Sequence, residues 1–206
     1  MSMRRQSFLN CLSANSKAIE EIRQSAWDLH NSVGQTYGDM LPYGHHLDMV
    51  VSELRRYAHL VLTSEEDVLP LFFGGYYHDS IEDARLTYND VMQTAQHWMN
   101  SEQARMATEI VYALTNDKGR TREERAGEHY YEGIRQTPYA PLVKLCDRMA
   151  NVSHSCASND ATNQRMRKVY SQEMPHFLKG IDAQSDDQRL RLPKEAVERL
   201  NDYIKE

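Results

Sequence analysis

Three short stretches of this 206-residue chain place side chains that can bind a metal or move a proton beside apolar runs. Residues 42–50 read PYGHHLDMV and carry His45 and His46. Residues 68–83 read VLPLFFGGYYHDSIED, in which an apolar run gives way to His78, Asp79, Glu82 and Asp83. Residues 142–152 read LVKLCDRMANV and set Asp147 among Leu142, Val143, Leu145 and Met149. A carboxylate buried in such company is costly unless a cation or metal accompanies it, so Asp147 needs a partner. Imidazoles and carboxylates with no thiolate suit Mn²⁺, Fe²⁺ or Mg²⁺, and two imidazoles favour the first two. His78 and Asp79 point about 100° apart on a helix, so one ion reaches both only at a helix end. Taken singly, each piece has a plain structural reading. Asp147 could pair with Arg148, and Glu82 and Asp83 could form a solvated acidic turn. His59, His97, His129 and His176 read as ordinary core or surface histidines.

The elements that must position these residues are helical. Ala18, Ile19, Ile22, Ala26 and Leu29 recur at helical spacing, as do Leu47, Val50, Val51, Leu54 and Ala58. The loop between them, NSVGQTYGDMLPYG, is punctuated by Gly34, Gly38, Pro42 and Gly44. Ser64 followed by three acidic residues suits a helix start, and that helix should end near His78. Thr87–Asp90 predicts a further start, and Ala104, Ala107, Ile110, Val111 and Leu114 form another stripe that stops at the turn Asn116–Gly119. Thr121-Arg122-Glu123-Glu124 fits a capping box. Pro138 and Pro141 introduce the helix that holds Asp147. The polar stretch 153–164 reads as a loop, and helices are expected over 163–179 and 194–204. No alternating strand pattern stands out, so the expectation is an all-α helical bundle in a single domain, 1–206.

Composition bounds the function. Hydrophobic residues make up 40% and charged residues 26%, an ordinary globular balance. A net charge of −6 gives no reason to expect nucleic acid or an anionic membrane as partner. Three cysteines without CxxC spacing suggest reduced thiols and a cytoplasmic setting. No apolar run is long enough for a membrane span, and no secretory signal is apparent.

The ordered motifs HDSIED and KLCDRMAN, preceded by PYGHH and by Ala26–His30, resemble the HD-domain phosphohydrolases. The similarity is closest to RelA/SpoT-type alarmone hydrolases and their small stand-alone relatives, and it covers about residues 26–155. The resemblance implies an HD-domain helical bundle with a metal site of His46, His78, Asp79 and Asp147, with Mn²⁺ or another divalent ion such as Fe²⁺ or Mg²⁺. His46 is preferred because Val50 and Leu54 follow it four and eight residues on; His45 becomes a neighbour. Glu82 and Asp83 would be catalytic, handling protons and orienting water. Asn151, Lys144 and Arg125 would bind substrate, a guanosine 3′,5′-bis(diphosphate) that loses its 3′-pyrophosphate. The loop before His46 lacks the family's adjacent basic residues, so cations must come from Lys118, Arg120, Arg122, Arg125, Lys144 or Arg148. Two alternatives stay open: another nucleotide, such as a nucleoside monophosphate or a phosphorylated dinucleotide, or a non-catalytic module that binds metal or nucleotide.

Overall fold

The computed structural model describes residues 2–38, 40–116, 120–157 and 159–205. Helices α1 (Arg5–Ala14) and α2 (Ser16–Ser32) lead into a tight hairpin of two-residue strands, β1 (Thr36–Tyr37) and β2 (Leu41–Pro42). The strands run antiparallel, with Thr36 opposite Pro42 and Tyr37 opposite Leu41. Sequence patterning does not announce this hairpin, because two residues cannot display an alternation. Next come α3 (Gly44–Tyr57), α4 (Val68–Tyr77), the single turn α5 (Ser80–Asp83), α6 (Tyr88–Ala95) and α7 (Ser101–Leu114). The short α8 (Arg122–Arg125) and α9 (Glu128–Gln136) precede the long helices α10 (Ala140–Cys156) and α11 (Ala161–Ile181), and α12 (Lys194–Lys205) ends the described chain. The fold is all-α, as expected from the sequence.

Local chemistry explains several of the boundaries. The Ser64 side chain accepts from the Glu66 amide, and a short 3₁₀ turn then feeds α4. Thr87 and Asp90 form a reciprocal capping box for α6, as do Asn100 and Gln103 for α7. The expected box at 121–124 is present: Glu124 N–H donates to Thr121 Oγ1, and Thr121 N–H donates to the Glu124 carboxylate. The turn expected at 116–119 falls partly on residues 117–119, which lie outside the described residues.

Two expectations need correction. The stretch 153–164 is not one loop, since α10 continues to Cys156 and α11 begins at Ala161. Val152 and Ser155 are buried, so packing extends α10 despite its weak helix formers, and Asp160 caps α11 by accepting from Asn163 N–H. Helices α1 and α9 were also not foreseen. Their apolar faces are short, three residues each: Phe8, Cys11 and Leu12 in α1, and Tyr130, Tyr131 and Ile134 in α9.

One hydrophobic core runs from Phe8 to Leu200. Helix α4 is apolar all round, and every one of its residues is buried. A Cβ on Gly75 would meet Leu54 Cδ1 at 2.5 Å, so glycine there lets α4 lie close against α3. Helix α10 touches α3, α4, α7, α9, α11 and α12, which makes it the central post of the bundle. Among the described residues, no helix is long and apolar enough to cross a membrane.

A candidate metal centre beside a tyrosine-lined cleft

His46 lies in the first turn of α3, His78 and Asp79 directly follow α4, and Asp147 sits midway along α10. The packing of these three helices brings the four side chains together. His46 and His78 are each 1% exposed and Asp147 is 8% exposed. His78 Nε2 is 2.8 Å from Asp79 Oδ2 and 3.3 Å from His46 Nε2. Asp147 Oδ1 is 3.3 Å from His46 Nε2 and 3.9 Å from His78 Nε2. The ligand atoms of His46, His78 and Asp79 all lie within 4.8 Å of one another, a group that could hold a divalent ion.

Hydrogen bonding shows why a cation fits. His78 Nδ1 is 2.9 Å from the Gly75 carbonyl, which can only accept, so Nδ1 carries a proton. The Nε2 of a neutral His78 then turns its lone pair toward two carboxylate oxygens and a second imidazole. The His78 lone pair and two carboxylates meeting in one corner repel one another unless a proton, such as one on His46 Nε2, or a metal ion lies among them. The acidities register the same demand. Burial works to lower the His78 pKa, but Asp79 and Asp147 outweigh it and lift the value to about 9. Burial opposes ionisation of Asp79 as well, yet the adjacent His78 holds its carboxyl below the usual range. Asp147 is likewise held well below, with Lys144 prevailing over burial.

The surroundings pin these groups. Tyr43 donates to Asp79, and Lys144 Nζ donates to Asp147 Oδ2 at 3.0 Å. Asn151 Nδ2 donates to Asp147 Oδ1 at 2.6 Å. His30 stacks on Tyr43 with ring centroids 4.7 Å apart and is fully buried; neither of its ring nitrogens has a hydrogen-bond partner. Burial accordingly lowers its pKa to about 4 and keeps it neutral. His46 Nδ1 also lacks a partner, so its ring is steadied by the stacked Tyr37 instead. His45 is exposed and packs on Trp27 with ring centroids 5.4 Å apart, outside the cluster it adjoins in sequence.

Glu82 and Asp83 take different positions. Glu82 faces the cleft and accepts from Asn116, at 2.6 Å from the backbone N–H and 3.0 Å from the side-chain amide. Asp83 is half-buried and does not line the cleft, and burial, reinforced by Asp79 and Glu82, pushes its pKa up to about 6.

The cluster opens into a cleft of about 410 Å³. Arg125, Lys144, Arg148 and Asn151 line it, together with Tyr130 and Tyr131 of α9 and Tyr170, Glu173 and His176 of α11. Lys144 and Asn151 both direct hydrogen bonds to Asp147. Arg148 is paired with Glu173 at 2.9 Å and lies over the rings of Tyr170 and Phe177. Arg125 is exposed at the edge of the cleft. Arg120 does not line it, and Lys118 and the side chain of Arg122 lie outside the described residues. Sequence reasoning missed the tyrosines and Glu173 and set His176 aside. The available signal was the spacing of Tyr170, Glu173 and His176, three residues apart on one helix face.

No protein-family model matches the chain, and no curated protein does either. A solved structure is similar: that of a metazoan ortholog of SpoT that hydrolyzes ppGpp and plays a role in starvation responses. The alignment covers 91% of this chain and 93% of that one, with a TM-score of 0.60 and 18% identity. The chain therefore has the all-α HD-domain fold of that structure.

Proposed function

We propose that the protein is a metal-dependent phosphohydrolase that acts on a nucleotide, with guanosine 3′,5′-bis(diphosphate) as its preferred substrate. One observation carries this reading: two buried imidazoles and two carboxylates converge, in need of a cation, where a cleft lined by three cations and four tyrosines begins. The likeness in fold to a protein that hydrolyzes ppGpp supports the substrate class.

His46, His78, Asp79 and Asp147 would hold the ion. When bound, a divalent ion there supplies Lewis acidity toward a phosphoryl oxygen and toward water. The rest falls to this chain's own groups. Asp83, with a pKa near 6, is a base matched to neutral pH, and Glu82 shares the same turn. One of them takes the proton of the attacking water. The water oxygen bonds to the phosphorus attached to the ribose 3′ oxygen. The P–O3′ bond breaks, and O3′ leaves with a proton. The products are pyrophosphate and the nucleoside 5′-diphosphate. Arg125 faces the phosphates, and Tyr130, Tyr131 and Tyr170 border the space for the base.

A panel of nucleotides incubated with the protein and Mn²⁺ tests the reading. Pyrophosphate released from guanosine 3′-diphosphates is the expected result, and orthophosphate as the sole product would sink it. One observation favours a second reading, hydrolysis of a nucleotide with fewer phosphates. The segment 33–43 contains no Lys or Arg, and two of the cleft's cations, Lys144 and Arg148, are already paired. The same panel separates the two.

A further inference from the structure

The hairpin between α2 and α3 turns its face toward the ligand corner. Its turn passes tightly over α10: Gly38 has φ +58, and a Cβ there would meet His154 Nε2 at 2.8 Å. The other side of the hairpin is solvent-facing, with Met40 86% exposed. Tyr37 points inward. Its ring stacks on that of His46 at 4.8 Å and 30°, and lies 4.5 Å from His154 and 6.1 Å, edge-on, from Tyr43. Its hydroxyl reaches Asn151 Oδ1 at 3.0 Å.

The direction of every hydrogen bond in this chain of contacts follows from its end. Asp147 is a carboxylate and can only accept, so Asn151 must present its Nδ2, 2.6 Å from Asp147 Oδ1. The amide oxygen is then turned toward Tyr37, which must donate. Asp147 Oδ1 is the oxygen nearest His46 and His78, so the amide acts on the very atom that joins the cluster. Lys144 holds the other oxygen.

We propose that Tyr37 is a positioning residue for the metal centre: its hydroxyl fixes the Asn151 amide, which aims Asp147 Oδ1, while its ring fixes the plane of His46. The inference rests on the metal-site reading above. It gives the cation-free hairpin a task on the metal side of the cleft. Partners that orient a ligand change metal affinity by about 10- to 100-fold when removed.

The test is Mn²⁺ affinity of the full chain, read from the loss of the free-ion EPR signal on titration, with far-UV CD and thermal melts of the metal-free proteins as folding controls. Tyr37→Phe keeps the stacked ring and removes only the hydroxyl. It is expected to weaken Mn²⁺ binding about three- to tenfold with an unchanged melt, and Asn151→Ala by about 10-fold or more. The double variant should be no weaker than Asn151→Ala, because Tyr37 acts through Asn151. A Tyr37→Phe affinity within twofold of wild type, or above it, overturns the proposal, and so do effects that multiply in the double variant. Those results leave the metal-site reading intact. Wild-type protein that takes up no Mn²⁺ overturns both.

Discussion

Two regions of one cleft are built differently. In the ligand corner, His46, His78, Asp79 and Asp147 sit within a few ångströms of one another, and their immediate supports are Tyr43, Lys144 and Asn151. Along the cleft wall, Tyr130, Tyr131 and Tyr170 border the space while packing into the core, Glu173 and His176 keep solvent contact, and Arg125 is exposed. The corner has little freedom, because each polar atom there depends on its neighbours for a counter-charge. The exposed part of the wall, Arg125 and His176, can tolerate change, since solvated groups carry no such obligation. Catalytic chemistry should therefore break sharply with single substitutions in the corner, and selectivity should shift gradually with substitutions in the wall.

The largest effect should come from His78→Ala, which removes one side chain from the four. Metal content measured on purified protein should fall to background, and kcat/KM should drop by at least about a thousandfold. Asp83→Asn comes next, with kcat lowered by about 10²- to 10³-fold and metal content retained. Asp83 must be ionised to accept a proton, so the wild-type rate should climb as pH rises through about 6, a limb absent from the variant.

A stability effect follows in size. His30 titrates near 6.5 when unfolded and near 4 when folded, so the unfolded state binds more protons between those values. Stability is then fully present above pH 6.5 and is lost as pH falls toward 4, by about 3 kcal/mol for this group. Urea denaturation of metal-free protein at several pH values should show that loss, and His30→Phe should reduce it by the same amount.

In the wall, Tyr131→Ala should raise KM by about tenfold with kcat per folded protein nearly unchanged, and should also lower the melting temperature, because the ring packs into the core against Gly180. Equal losses in kcat and kcat/KM would instead place Tyr131 among the reacting groups. Arg125→Ala should be mildest, about two- to fivefold in KM, and the difference should shrink at high salt because the group is exposed.

The contrast also explains what could be read early. The ligand corner was legible because its residues fall in short motifs beside apolar runs, and the pattern HDSIED…KLCDRMAN retains chain order. The choice of His46 over His45 was also legible, from the apolar residues that follow at helical spacing. The structure adds a reason: His45 turns outward onto Trp27. The wall was not legible. Tyrosines on α9 and α11 look like ordinary core aromatics until tertiary packing shows which of them face a cleft. Lys144 and Arg148 read as candidate phosphate ligands; the spacing of Lys144 allows a pair with Asp147 one turn on, but the position of Arg148 says nothing of a partner twenty-five residues away.

By itself, then, the sequence determined the helical class, several helix starts through their caps, and a set of residues that are candidates to meet at a cation. Those properties are local, set by side-chain period and by backbone donors that need nearby acceptors. Tertiary structure alone decided that the start of α3, the end of α4 and the middle of α10 meet, so that two imidazoles and two carboxylates share one corner. It also decided that Tyr37, 114 positions before Asn151, reaches the amide that orients Asp147. Contacts of that range depend on how helices pack, and helix packing is settled by the whole core at once.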